Sequence, residues 1–154
     1  MNTNQLEQRY IAAKRRLFDI YYGDLNDCQR EAVFTADGAL LVLAGAGSGK
    51  TTVLVKRIVF IIKYGNAYFS NYVPFDVSEA QVKSLEDAAF LPKEDIEPLL
   101  SQFASAPCAP WNMLAITFTN KAANEIKVRL EKAIGEESAA KDISEKLKQM
   151  MRSV

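Results

Sequence analysis

The chain has 154 residues, 49% of them hydrophobic and 25% charged, with 19 acidic and 19 basic side chains and no histidine. That length suffices for one domain with a real core, and the missing histidine excludes His-based triads and His metal sites. Cys28 and Cys108 are isolated and read as plain thiols, and the apolar runs are too short to span a bilayer, so a cytoplasmic protein without membrane contact is expected.

Charge is uneven along the chain. Residues 1–62 hold eight basic and six acidic groups, residues 63–112 three and seven, and residues 113–154 eight and six. Flanks so weakly basic are no evidence for nucleic acid, because salt screens them. The acidic middle marks a different kind of segment.

In residues 1–24, Leu6, Tyr10, Ala13, Leu17 and Tyr21 recur at helical spacing with Phe18 beside them, which predicts an N-terminal helix docked on the body. Lys14-Arg15-Arg16 is read as its solvated face rather than a nucleic-acid patch. Residues 25–63 begin with Leu25-Asn26-Asp27-Cys28-Gln29, where Asn26 suits an N-cap and Gln29 completes a capping box. The capping role explains Gln29 by itself. A glutamine amide, donor and acceptor together, also matches adenine's amino group and ring nitrogen, and the residues leave both readings open.

Asp37-Gly38 turns the chain into Ala39 to Leu43, a continuous apolar run expected to be a buried strand of a parallel sheet. Ala44-Gly45-Ala46-Gly47-Ser48-Gly49-Lys50-Thr51 follows, ahead of a helical pattern capped by Gly65. Strand, glycine loop and helix in that order form the context of a phosphate-binding P-loop. Its backbone N–H groups would form an anion nest, Lys50 would reach the β- and γ-phosphates, and the Thr51 hydroxyl would ligate Mg²⁺. The bland alternative is a glycine-rich turn that ends in Gly-Lys-Thr. Ala44 departs from the strict pattern, which opens with Gly.

Residues 64–112 change character. An irregular aromatic stretch leads to Ser78 with Gln81, the cap of a short helix to about Phe90; Pro92 breaks it, a second helix covers Lys93 to Ala104, and Pro107 to Pro110 is loop. This reads as an acidic, mainly helical insertion that packs its own small core. In residues 113–135, Met113 to Phe118 predicts a second strand, followed by a helix with Ala123, Ile126, Leu130 and Ile134 inward. Thr119 or Asn120 suits its N-cap. Thr117, Thr119 and Asn120 also fall at a strand's carboxyl edge, where ligands bind in open α/β sheets. Phe118 offers a face for a base and Lys121 a charge for a phosphate. Residues 136–154 predict a last amphipathic helix with Ile143, Leu147, Met150 and Met151, either docked on the body or an artificial end of the fragment.

Taken together, the segments from Leu25, from Leu41 to Thr51, and from Leu114 to Glu125 resemble the superfamily 1 DNA helicases of the UvrD/PcrA/Rep kind. That family commonly opens its P-loop with Ala. The resemblance implies an α/β fold, part of a RecA-like P-loop NTPase domain with parallel strands flanked by helices. It implies that Gln29 contacts adenine and that Ala44, Gly45, Ala46, Gly47, Ser48, Gly49, Lys50 and Thr51 hold the triphosphate of ATP. Thr52 stands where many members have an arginine against the adenine. Thr117, Phe118, Thr119, Asn120 and Lys121 match the motif that touches single-stranded DNA.

The family's Asp-Glu strand for Mg²⁺ and water, and its Thr-x-His-Ser segment, do not occur. The expectation is therefore the amino-terminal piece of a longer helicase that translocates on single-stranded DNA and unwinds duplex. The piece alone would bind MgATP weakly without turnover, and the remainder of the helicase would complete the active site. A small P-loop kinase or phosphotransferase, and a non-catalytic adaptor with a relict P-loop, are the alternatives from other classes.

Overall fold

The stripe near the N-terminus becomes α1 (Thr3–Tyr21) in a computed structural model of the chain that describes residues 3–135. The helix expected over residues 136–154 lies outside the described residues. Asn26 opens α2 (Asp27–Phe34) through the predicted capping box: Asn26 Oδ1 accepts from the Gln29 N–H at 2.9 Å, and Gln29 Oε1 accepts from the Asn26 N–H at 3.0 Å. The glycine loop leads into α3 (Lys50–Tyr64). A second capping box, Ser78 with Gln81, starts α4 (Glu79–Ala88), and α5 (Lys93–Leu100) continues into a 3₁₀ turn at Ser101–Phe103. A 3₁₀ turn at Pro110–Asn112 precedes α6 (Asn120–Gly135).

The α/β expectation is overturned, because neither predicted strand forms. Among the described residues the only β contact is a single bridge between Gly65 and Ser105. Segments 39–43 and 113–118 have no strand pairing, and apart from Met113, which packs beside α3 and α6, their apolar side chains face outward: Leu41 is 81% exposed, Leu43 86%, and both Leu114 and Ile116 82%. The physical reason is pairing. An apolar run becomes a strand only where a neighbour supplies hydrogen-bond partners and covering faces. Two short strands alone have little independent stability. The described residues are therefore a helical assembly without a parallel-strand core.

Helix α3 is the axis of that assembly, because its apolar residues run round two faces. Val53, Phe60 and Tyr64 join a cluster with Tyr10, Leu17 and Phe18 of α1 and Val33 and Phe34 of α2. Val55, Ile58, Val59 and Ile62 pack with Ile126, Leu130 and Ile134 of α6. Ala123, expected on that inward face, is exposed.

The middle segment does not pack a core of its own. Val82 and Leu85 of α4, Ile96 and Leu100 of α5, and Phe103 all belong to the cluster around Phe18. The two ends of the segment meet at the end of α3, where Asn66 N–H donates to Ser105 O at 2.8 Å and Cys108 N–H to Ile61 O at 3.0 Å. Gly65 (φ +59°) permits this approach, since a Cβ there would lie 2.1 Å from Ser105 O.

Polar contacts also tie α1 to this segment. Arg9 binds Glu86 through Nε and Nη2, both at 2.8 Å, and Glu79 through Nη1 at 2.6 Å. The Lys14-Arg15 pair is not the solvated face that its charge suggested. Lys14 is buried with its Nζ donating to Ser70 O, and Arg15 Nε donates to Tyr68 O at 3.1 Å. Their long stems lie along the apolar surface, and their heads take carbonyls that the loop itself leaves unpaired.

Candidate functional site

Two of the loop's glycines supply conformations closed to other residues: Gly47 has φ +74° and Gly49 φ +77°. Ser48 closes the loop, donating to Gly45 O from its N–H at 3.3 Å and from Oγ at 2.6 Å. Gly49 is the N-cap of α3 and brings no side-chain acceptor. The first-turn N–H groups, on Lys50, Thr51 and Thr52, are thus left without a side-chain cap at the positive end of the helix. An anion such as phosphate fits this arrangement. Lys50 and Thr52 are exposed and Thr51 is half-buried.

A cleft of about 470 Å³ lies between α2, residues 42–45 and the start of α3. From the predicted set it brings together Gln29, Ala44, Gly45, Ser48 and Lys50; Ala46, Gly47, Gly49, Thr51 and Thr52 do not line it. Gln29 reaches across the cleft's base, its Nε2 donating to Ser48 O at 3.2 Å while its Oε1 stays in the capping box. One amide hydrogen and one oxygen lone pair remain open on it.

The sequence reading missed Arg57 in this wall. Its guanidinium donates to Ala32 O at 2.5 Å and to Thr35 O, placing a cation at the C-terminal end of α2. Burial lowers its proton affinity from the ordinary value. The signal was spacing: Lys50, Val53, Leu54 and Arg57 stand at i, i+3, i+4 and i+7, one continuous stripe of a helix.

The second predicted set sits at the start of α6. Thr119 is the N-cap, its Oγ1 accepting from the Ala122 N–H at 3.1 Å and its carbonyl from the Ala123 N–H at 3.1 Å. Thr117 Oγ1 donates to Thr119 O at 3.0 Å. Both threonine hydroxyls therefore serve the local turn, while Phe118, Asn120 and Lys121 are exposed. The two predicted sets begin two helices that pack on each other. No cluster of three or more metal-ligating side chains occurs among the described residues, and none of their helices is long and apolar enough to cross a membrane.

The chain thus presents a glycine loop opening α3 and a capped turn opening α6. The chain belongs to the UvrD/REP helicase N-terminal domain family, whose model matches residues 25–74 and 97–153. Among its relatives are ATP-dependent DNA helicases PcrA. The chain is 39% identical to that of Bacillus subtilis (strain 168) over 111 residues, 72% of this chain and 10% of the relative. It is 36% identical over 115 residues to the PcrA of Staphylococcus epidermidis (strain ATCC 12228 / FDA PCI 1200), 75% of this chain and 10% of the relative. The PcrA of Staphylococcus aureus (strain Mu50 / ATCC 700699) is 35% identical over 114 residues, 74% of this chain and 10% of that protein. The chain spans about a tenth of the length of the curated relatives it matches.

Proposed function

We propose that the chain is the nucleotide-binding part of an ATP-dependent DNA helicase and that by itself it binds MgATP weakly without turning it over. The observation that carries this is one cleft lined both by the Gln29 amide and by Ala44, Gly45, Ser48 and Lys50, at the uncapped start of α3. Residues Ala44 to Thr51 would hold the phosphates through backbone N–H groups and the Lys50 ammonium. The Thr51 hydroxyl would take one place on Mg²⁺, with triphosphate oxygens and water taking others. Gln29 would meet adenine with its open hydrogen and lone pair. Bound Mg²⁺ would neutralise charge on the phosphates. Phosphoryl transfer also needs a held water and added positive charge around the transferred group. In the helicase family these come from an Asp-Glu strand and from arginines of a second domain, which the rest of a longer protein would supply. The test is calorimetry of MgATP binding to wild type and Lys50→Ala: a large loss in the variant is expected, and equal binding would sink the assignment.

DNA is the proposed second ligand, at Thr117 to Lys121. The support is that the Phe118 ring, a stacking face, and Lys121 three residues on, a phosphate contact, are both exposed. Binding should be weak and salt-sensitive, because the surrounding charge is balanced. At low salt, fluorescence anisotropy with a single-stranded oligonucleotide should show Phe118→Ala weakening binding roughly five- to tenfold or more, the worth of one base–aromatic stack. No difference between the two proteins would remove this site.

A further inference from the structure

We propose that Gln29 is also a positioning residue for the glycine loop, acting on the phosphate side of the site independently of any base. The inference rests on the nucleotide reading above and goes beyond the adenine contact given to Gln29 there.

Three observations orient the amide. Its oxygen is fixed, because only an acceptor can meet the Asn26 N–H at 3.0 Å. The nitrogen must then face the loop, where Nε2 donates to Ser48 O at 3.2 Å. Nε2 also lies directly over Gly49, 3.5 Å from where a Cβ would stand. The capping box that starts α2 thus decides which end of Gln29 meets the loop.

The consequence follows from peptide geometry. In a trans peptide the carbonyl and the following N–H point in opposite directions. Holding the Ser48 carbonyl toward α2 therefore turns the Gly49 N–H away from α2, and that N–H has no partner among the described residues. The Ser48–Gly49 unit ends on a glycine at φ +77°, so a peptide flip meets no side-chain barrier there. A flipped unit would aim a carbonyl at the anion in place of a donor. One side-chain hydrogen bond selects the orientation that suits phosphate. The open hydrogen and lone pair of Gln29 remain available, so a base can be met at the same time.

The experiment uses inorganic tripolyphosphate, which has no base, titrated with Mg²⁺ into the 154-residue chain by calorimetry. Gln29→Met keeps length and volume but loses both the donation to Ser48 and the acceptor for the Asn26 N–H, whereas Gln29→Glu keeps that acceptor and loses only the donation; the loss should appear in both variants. Asn26→Ala removes the side-chain cap of α2 and leaves both bonds of the Gln29 side chain, so it reports the cost of a weakened helix start alone. Gln29→Met should weaken tripolyphosphate roughly five- to tenfold, the worth of one hydrogen bond to the loop. Asn26→Ala should stay within about twofold of wild type, and thermal unfolding puts the variants on one stability scale. Unchanged tripolyphosphate binding by Gln29→Met, or an equal loss in Asn26→Ala, would overturn the proposal. Lys50→Ala separates the two failures. If it too binds tripolyphosphate like wild type, the phosphate site itself is wrong and this role falls with it; a Lys50-dependent affinity that ignores Gln29 removes this role alone.

Discussion

Two regions of the molecule treat apolar residues in opposite ways. Around Phe18 they are buried: its ring meets Phe60 and Tyr64 edge-on at 5.6 and 5.3 Å, and five of the six α-helices among the described residues contribute to the same cluster. No buried side-chain polar atom among the described residues lacks a partner. Around the glycine loop and the turn before α6, Leu41, Leu43, Leu114, Ile116 and Phe118 all face outward. The residues proposed to hold phosphate and DNA lie in the second region. A backbone that must offer its N–H groups to a ligand cannot also be packed away, so binding surfaces come from the weakly packed part of a fold. The difference identifies the Phe18 cluster as the scaffold and the loops as what it displays.

The sharpest way to break that contrast is to empty the scaffold. Phe18→Ala removes a ring with no exposed surface. It should destabilise the chain by about 3–5 kcal/mol, the usual cost of deleting a buried aromatic. Denaturant unfolding followed by far-UV circular dichroism measures it. A loss under about 1 kcal/mol would mean that the cluster is not the scaffold.

A smaller effect comes from Lys14, the one buried charged side chain among the described residues. Burial, with a minor contribution from the neighbouring Arg15, brings Lys14 down from an ordinary 10.5 to about 8. The folded state then releases this proton near pH 8 and the unfolded chain near 10.5, so between those values the unfolded state holds more protons. Stability from this group therefore rises with pH across that window and carries its full penalty below pH 8. Tyr10 and Tyr68 are raised by burial, and they work the other way only above about pH 10. Denaturant midpoints at pH 7.5 and 9.5 should show wild type gaining on the order of 1 kcal/mol, with the gain absent in Lys14→Met. An identical pH profile in the variant would show that the amine is solvated.

What the sequence made legible was local. The Asn26–Gln29 and Ser78–Gln81 capping boxes, the start of α3 behind the glycine loop, and its end at Gly65 are each set by residues within one turn of one another, and all formed as expected. What it hid depends on distant partners. Residues 39–43 and 113–118 have a strand's composition, but pairing is a property of two segments, and no pair forms. Lys14 carries a surface residue's label, and only the arrival of Ser70, 56 positions away, makes its burial tolerable. Gln29 looked sufficient as a cap because its second bond, to Ser48, crosses 19 positions. The candidate site is proposed from its motifs. Its wall at Arg57 was within reach of helical spacing, whereas the Gln29–Ser48 contact needed the fold.

The smallest expected effect tests the other half of the contrast and the loss of the sheet with it. Leu41 has the composition of a core residue, yet it is 81% exposed. Removing an exposed apolar side chain forfeits little transfer free energy, so Leu41→Ser should change stability by less than about 0.5 kcal/mol. Leu43→Ser, at 86% exposure, should behave the same way. If both were neutral while Phe18→Ala cost several kcal/mol, the division into scaffold and display would stand on energies as well as geometry. A cost above about 1.5 kcal/mol at Leu41 has a different meaning, because surface substitutions rarely reach it and burial readily does. It would show that residues 39–43 are covered in solution, and the description of this segment as unpaired and outward-facing would fall.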